Sequence, residues 1–392
     1  MERFDAIVVG VGGMGSAALH RLAVRGIKVC GLEQFEIGHD RGSSHGATRI
    51  IRKAYFEHPD YVPLLNRAYA MWDRVEEESS VSLVDWTGLL LAGEQDGDVI
   101  VGTLEAAKRH SLDVEQFSVQ EATRRFPGLS LDEDMTCLFE RRAGYLRVED
   151  CVRVQVGLAE QFGATVLTNC VVRGWRRDGD SFVVDADGHR LAADRLIFCS
   201  GAWSRRLLAD LDVPLEVRRK VVFWMNAPAA FEREAGFPVF GVELRSGRFA
   251  LLPSEGLEPF DRLFFYGFPV IDSKGMKLGL HTGGNTVVEP SEIDRSLRGA
   301  DLSPVQRFLG KYMPEVDQEP LNHAVCMYTM TPDEHFIVDR HPVHPGISFA
   351  AGFSGHGFKF APLVGSVLAD LAIDGATEEP ISFLSIGRFG QY

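Results

Sequence analysis

The first thirty-three residues constrain this chain most. Phe4 to Gly10 reads as a buried apolar strand, and it enters Gly10-Val11-Gly12-Gly13-Met14-Gly15, a GxGxxG turn. Helical spacing follows through Ala17, Ala18, Leu19, Leu22 and Ala23. Gly26 closes that helix, and Ile27 to Leu32 predicts a second strand ending at Glu33. This is the whole βαβ context that a dinucleotide site requires: Gly10 permits the tight turn, Gly12 lets backbone approach a pyrophosphate, and Gly15 lets helix pack on strand. The amides around Gly13 and Met14 begin the helix and face the anionic linkage. Glu33, 18 residues beyond Gly15, is placed to accept hydrogen bonds from an adenosine ribose. An acid there weighs against the 2′-phosphate of NADP and leaves NAD and FAD.

The next segment, Gly38 to Arg49, is a long polar loop where a nicotinamide enzyme usually has a short one. With Ser43, Ser44, Thr48 and Arg49 it is expected to bring backbone amides and a guanidinium to a flavin ring. Later in the chain Val148 to Phe162 predicts a helix and Ala164 to Leu167 a strand. A hairpin from Val171 to Val184 precedes the apolar strand Arg195 to Phe198, which turns at Gly201 into a predicted helix. Such a returning strand gives a large dinucleotide fold its second cofactor contact, here with Val171 and Gly201.

Helices are predicted at Tyr61 to Glu77, Val101 to His110 and Val119 to Phe126, and strands at Val221 to Met225, Phe237 to Leu252 and Arg262 to Phe268. The expected class is α/β: a Rossmann-like FAD-binding domain built discontinuously from 1–85, 145–215 and 325–392. A mainly antiparallel substrate domain of α+β character, 86–144 and 216–324, is inserted in it. The chain's 392 residues suit two or three domains.

With 41 Lys and Arg against 55 Asp and Glu, the net charge of −14 repels phosphate backbones, so nucleic acid is not an expected partner. No apolar run approaches the length of a membrane span, and the strand at Phe4 leaves no room for a signal peptide, so a cytoplasmic protein is expected. Cys30, Cys137, Cys151, Cys170, Cys199 and Cys326 are scattered, which predicts reduced thiols and no structural zinc. His39, His45 and His58 lie in or near loops without ligand spacing, and no metal is expected.

Lys277-Leu278-Gly279-Leu280-His281 alternates with period two, so Lys277, Gly279 and His281 share one strand face. A cation, a gap and an imidazole there suit a flat ligand, although a solvated face would show the same pattern. Cys326, Tyr328 and Met330 share a face of a further strand, where a buried thiol is ordinarily a small hydrophobe. Gly352 to Phe360, containing Gly355, Gly357, His356 and Lys359, leads into an apolar helix. It reads either as a helix cap with stray basic residues or as an electropositive pocket for a carboxylate or the anionic edge of a reduced flavin.

These motifs resemble the monomeric sarcosine oxidase family, the flavin amine oxidases that include N-methyltryptophan oxidase and pipecolate oxidase. The resemblance is carried by Gly46 to Arg52, by Tyr266-Gly267-Phe268-Pro269 with Lys277 and His281, by Cys326 to Asp333, and by Gly352 to Lys359. The stretch from Val81 to Glu140 matches only in style. The resemblance implies FAD held covalently through Cys326, with Lys277 over the flavin assisting oxygen. Arg52 and Lys359, beside His356, grip the substrate carboxylate, His281 lies near the amine, and Tyr266, Tyr328 and Arg49 complete the catalytic set.

The implied reaction takes a small secondary amino acid and oxygen. The amine becomes an imine, water hydrolyses it to amino acid and formaldehyde, and oxygen leaves as hydrogen peroxide; a monomer is implied. Sarcosine, a bulkier N-methyl amino acid and a cyclic imino acid such as pipecolate remain open. So does a dehydrogenase passing electrons to a carrier, and outside catalysis a nucleotide-binding sensor. The connection Glu243 to Phe265, with Pro253 to Pro259, is longer than the sarcosine enzymes lead one to expect, and it either reshapes the pocket or decorates the surface.

Overall fold

The computed structural model describes residues 1–249 and 260–390. Glu2–Val9 pairs in parallel with His189–Phe198 on one side and Val29–Leu32 on the other, and Thr165–Leu167 extends the sheet beyond Val29–Leu32. Ala6, Ile7 and Val8 are wholly buried, as expected of a parallel strand covered on both faces. Helix Gly13–Val24 packs on that sheet between Val148–Gln161 and Ala361–Ile373. Small residues set the spacing to Ala361–Ile373: a Cβ at Gly365 would stand 2.5 Å from the backbone carbon of Ala17.

Strand His189–Phe198 is longer than the Arg195–Phe198 run the sequence suggests, because its N-terminal half pairs with the hairpin strand Ser181–Ala186 and its C-terminal half with Ile347–Ala351. The helix expected after Gly201 is only a 3-10 turn, Gly201–Trp203, and one helical turn, Ser204–Leu207. Left-handed Asp212 and then Pro214 follow too soon for more.

A second, nine-stranded sheet is antiparallel except where Val239–Arg245 runs alongside Leu89–Glu94. Its centre orders Glu216–Met225, Met276–Leu280, Arg262–Val270 and Val239–Arg245, and Pro320–Met330 pairs with Glu216–Met225. Helix Gly299–Tyr312 seals one face, stacking Phe308 on Phe265 with ring centres 4.5 Å apart. The strand expected over Phe237 to Leu252 stops at Arg245; Ser246–Phe249 is a helical turn, entered as the Ser246 N–H bonds the Asp261 carbonyl. The long connection at Pro253 to Pro259 lies outside the described residues.

A three-stranded sheet of Thr48–Ile51, Gly144–Arg147 and Val84–Asp85 carries Arg49 at the place where the two larger sheets approach. Among the described residues no helix is long and apolar enough to cross a membrane.

Candidate active site

A cleft of about 1350 Å³ opens at the C-terminal ends of the parallel strands, where such sheets bind ligands. Gly10, Gly12, Gly13, Met14, Glu33, Ser43, Ser44, Arg49, Val171, Gly201, Gly355 and Gly357 line it. Gly10 has φ +87°, and at Gly15 a Cβ would fall 1.8 Å from the Gly10 carbonyl oxygen, so helix and strand meet without room for any side chain. Beside Gly12 the nearest atom to a Cβ is Ser44 Oγ at 3.5 Å, which leaves that face to a ligand.

The Glu33 carboxylate accepts from the Val11 N–H at 2.8 Å and the Phe35 N–H at 3.1 Å, fixing it at the cleft wall. A glycine turn, a capless twelve-residue helix start and a fixed acid fit the pyrophosphate and ribose of FAD. Gly15, Thr48, Cys326, Lys277 and Lys359 stand behind or beside this lining rather than in it.

A second cavity, about 610 Å³, is lined by Arg49, Arg52, Tyr266, His281, Tyr328, His356 and Lys359 together with Phe56, Glu57, Leu89, Leu91, Phe264 and Phe268. Arg49, Tyr328, Gly355 and Phe358 line both spaces. Gly355, at φ +82°, is needed there, since a Cβ would lie 2.4 Å from the Tyr328 ring.

At this shared wall Arg49 donates to the carbonyls of Thr48 (2.8 Å) and Ser43 (2.7 Å) and lies 3.5 Å from Cys326 Sγ. Burial raises the pKa of the Cys326 thiol, yet His45 and Arg49 outweigh it and bring it down to about 6. The other five cysteines are all pushed up. Cys326 is therefore the one thiol here set up as a nucleophile.

Lys277 is buried, not solvated: Nζ donates to the carbonyls of Gly46 (2.6 Å) and Thr48 (2.8 Å) and to Thr48 Oγ1 (3.1 Å). Glu149 in turn accepts from the Gly46 and Ala47 N–H groups, fixing the loop that receives the lysine. Burial and the neighbouring Arg49 hold Lys277 well below the usual lysine range. His281 lies just beyond strand Met276–Leu280, its Nδ1 3.3 Å from the Tyr328 hydroxyl. Burial and then Lys220 push its pKa to about 3, so the ring is neutral.

The arm from Arg52 to Glu57 changes the charge expected of the pocket. Arg52 is stacked between the rings of Tyr55 and Phe56 and ion-paired with both oxygens of Glu57 at 2.6–2.7 Å. Lys359 Nζ donates to the His356 carbonyl at 2.6 Å, and burial, reinforced by Arg52, lowers its pKa to about 7. His356 is engaged on both nitrogens. Nε2 faces the Glu334 carbonyl (3.1 Å), so it carries the proton, and Nδ1 accepts from the Tyr55 hydroxyl at 2.5 Å. With burial lowering its pKa to about 4, His356 brings no cation to the pocket; Arg52 and Lys359 do.

Glu57 on the chamber wall, Tyr55 behind His356 and His45 beside Cys326 escape sequence reasoning, as do Leu89, Leu91 and Phe264 on the apolar wall. His45 sits in the polar loop already singled out, and only its proximity to Cys326 gives it a role. Neither cavity is lined by Asp210, His341 and His344, which approach one another elsewhere. The Val343 and His344 N–H groups donate to His341 Nδ1, so its Nε2 carries the proton given to Asp210 at 2.8 Å. That is a hydrogen-bond chain rather than a ligand set.

Comparison with known proteins agrees with this geometry. A monomeric sarcosine oxidase of Bacillus sp. (strain B-0618) is 41% identical over 391 residues, covering 98% of this chain and 96% of that protein. An N-methyl-L-tryptophan oxidase of Escherichia coli (strain K12 / DH10B) is 32% identical over 391 residues, covering 99% and 100%. Among solved structures, NikD, an unusual amino acid oxidase essential for nikkomycin biosynthesis, shares the fold with a TM-score of 0.84 at 22% identity over 98% of both chains. The L-proline dehydrogenase of P. horikoshii does so at 0.83 and 21%, covering 100% of this chain and 98% of its own. The DAO family pattern, FAD dependent oxidoreductase, matches residues 5–371. The chain, with its glycine-lined cleft, its matching relatives and this pattern over most of its length, belongs to the DAO family of FAD dependent oxidoreductases.

Proposed function

We propose that this chain oxidises a small N-methyl amino acid of the sarcosine type, with FAD in the large cleft joined through a thioether to Cys326. The observation that carries this reading is the wall common to the two spaces. Arg49, Tyr328, Gly355 and Phe358 bring a chamber holding Arg52 and Lys359 directly against the dinucleotide cleft. The curated relatives named above act on sarcosine and N-methyltryptophan, which share a carboxylate and a secondary amine. FAD, when bound, accepts two electrons from the amine and gives them to oxygen.

The protein's own residues supply placement and charge. Arg52 and Lys359 receive the carboxylate, Arg52 exchanging Glu57 for it. Neutral His281 and Tyr328 face the amine, and Tyr266 narrows the chamber beside them. Lys277, anchored by its bonds to Gly46 and Thr48, is held as a donor group where negative charge develops on oxygen, and that developing charge favours its protonated form. Water entering from the chamber hydrolyses the imine to amino acid and formaldehyde, and oxygen leaves as hydrogen peroxide. In this reading 1–85, 145–215 and 325–392 hold FAD, 86–144 and 216–324 build the chamber, and the enzyme works as a cytoplasmic monomer.

The test is peroxide and formaldehyde release from sarcosine, N-methyltryptophan and pipecolate. Equal yields of both products from an N-methyl substrate are expected. Peroxide from pipecolate alone would move the reading to cyclic imino acids. Flavin reduction followed by reoxidation only with a dye would make the protein a dehydrogenase.

A further inference from the structure

Lys220 is a buried lysine that the reading above does not use. It lies on strand Glu216–Met225, directly opposite Cys326 in the antiparallel register with Pro320–Met330, and is 6% exposed. Its Nζ donates to three successive carbonyls, those of His281 (2.8 Å), Thr282 (3.0 Å) and Gly283 (2.9 Å). The same Nζ lies 5.4 Å from the centre of the Tyr328 ring.

The segment so held has left its strand. Met276–Leu280 ends one residue earlier, and Gly283 and Gly284 have φ of +72° and +117°, so the carbonyls point away from any ladder. Three carbonyls turned toward one point, the Gly283 one buried and the others half-buried, call for a donor there, and a lysine ammonium has three protons to give. Apart from the His281–Tyr328 contact, the ties on the segment among the described residues are the His281 N–H to the Phe264 carbonyl (2.8 Å) and the Phe264 N–H to Thr282 Oγ1 (2.9 Å). Both fix it to strand Arg262–Val270, and neither faces Tyr328.

We infer that Lys220 is a positioning residue for amine oxidation: by gathering the carbonyls of residues 281–283 it sets the His281 ring against Tyr328 in the substrate chamber. This rests on the chamber reading above, in which His281 faces the amine. The ammonium touches both members of the pair, His281 through its carbonyl and Tyr328 through its ring face. It also opposes a second positive charge on His281. Around that ring stand Lys220, His356, Arg52 and Glu57, of which Glu57 alone favours protonation.

The experiment compares holoenzymes carrying Lys220→Met and Lys220→Gln with wild type. The measurements are the rate of flavin reduction by saturating sarcosine across pH, the affinity for methoxyacetate read from the flavin spectrum, and thermal unfolding. Methoxyacetate keeps the carboxylate and replaces the amine by an ether oxygen, so it reports Arg52 and Lys359.

In Lys220→Met, reduction is expected to slow about tenfold or more while methoxyacetate affinity changes about twofold at most. The acid limb of the rate should move to higher pH, and Lys220→Gln, which restores donors without charge, should recover rate but not the acid limb. An unchanged rate and acid limb would overturn the inference. So would parallel losses of rate, methoxyacetate affinity and thermal stability in both variants, which mark a folding role only.

Failure of the functional reading would appear separately, as wild type that no secondary amino acid reduces. The His281 ring-proton resonance, assigned by its loss in His281→Asn, then decides. It should shift and titrate at higher pH in Lys220→Met, and an unmoved resonance refutes the placement.

Discussion

Lys359 should make carboxylate binding a function of pH. Its pKa is lowered to about 7 by burial, with Arg52 adding to the effect and Glu57 opposing it. One pH unit above that bend leaves about a tenth of the lysines charged, and two units about a hundredth. If the ammonium grips the carboxylate, methoxyacetate affinity falls about tenfold per pH unit above the bend, ~1.4 kcal/mol each. A bound carboxylate favours the charged form, so the bend lies higher in the complex than in free enzyme.

Lys359→Met should bind weakly at low pH and lose the slope. The assay is a flavin-spectral titration with methoxyacetate from the acid side of neutrality to well above it. The Lys220 pKa is also lowered to about 7, but its Nζ donors are taken by three carbonyls and it does not line the chamber, so Lys220→Met should keep the slope. The same shift acts on stability. The unfolded lysine, at its ordinary value of 10.5, binds more protons than the folded one between about 7 and 10.5, so stability rises with pH across that window. The drop from 10.5 to about 7 bounds the destabilisation at ~5 kcal/mol. Lys359→Met should therefore melt higher than wild type near pH 6 and lose that advantage toward pH 10. A slope that survives in Lys359→Met, or a flat wild-type profile, refutes the argument.

Gly15→Ala places a Cβ 1.8 Å from the Gly10 carbonyl and should lose FAD along with at least ~3 kcal/mol of stability. Full FAD content in that variant would refute the tight-turn argument. Cys326→Ser should bind FAD but release its colour into the supernatant on acid precipitation, whereas wild type keeps it in the pellet; colour retained in the variant's pellet means another anchor. Lys277→Met should slow reoxidation of the reduced enzyme by oxygen about a hundredfold while slowing reduction far less, as seen by mixing with substrate and then with air. Equal losses in both halves would remove the assigned role.

The dinucleotide half was legible in the sequence because its demands are local. Gly10, Gly12, Gly15 and Glu33 sit at fixed spacing within one βαβ unit, and the structure places three of them on the cleft and Gly15 behind it. The chamber is another matter, since it is assembled from separate stretches of chain. Leu89 and Leu91 come from a segment with no readable motif, and Glu57 follows Arg52 by only five residues yet cancels charge that the sequence counts as free. Neighbouring identity alone could not show that His356 spends both nitrogens on Tyr55 and Glu334, because those partners are remote or, in the case of Glu334, a backbone carbonyl. His45 illustrates the same limit. Its loop is legible, but its effect on Cys326 arises only between residues far apart in the chain.

The three buried lysines then divide by how many of their protons are already used. Lys220 gives all three to carbonyls, and Lys277 gives three to two carbonyls and a hydroxyl. Neither has a donor left for a ligand, so each acts through position and field alone. The Lys359 Nζ has one hydrogen bond, to the His356 carbonyl, among the described residues, and it also lies over the ring faces of Tyr55 and Phe360. It alone can answer an entering carboxylate with new hydrogen bonds. A saturated lysine stabilises charge wherever it develops within reach, whereas an unsaturated one recognises a group that arrives. Removing Lys359 should therefore appear first in ligand affinity, and removing Lys277 first in the step with oxygen. A variant pair that exchanged those two signatures would mean the ammonium groups, not the site's chemistry, had been assigned to the wrong partners.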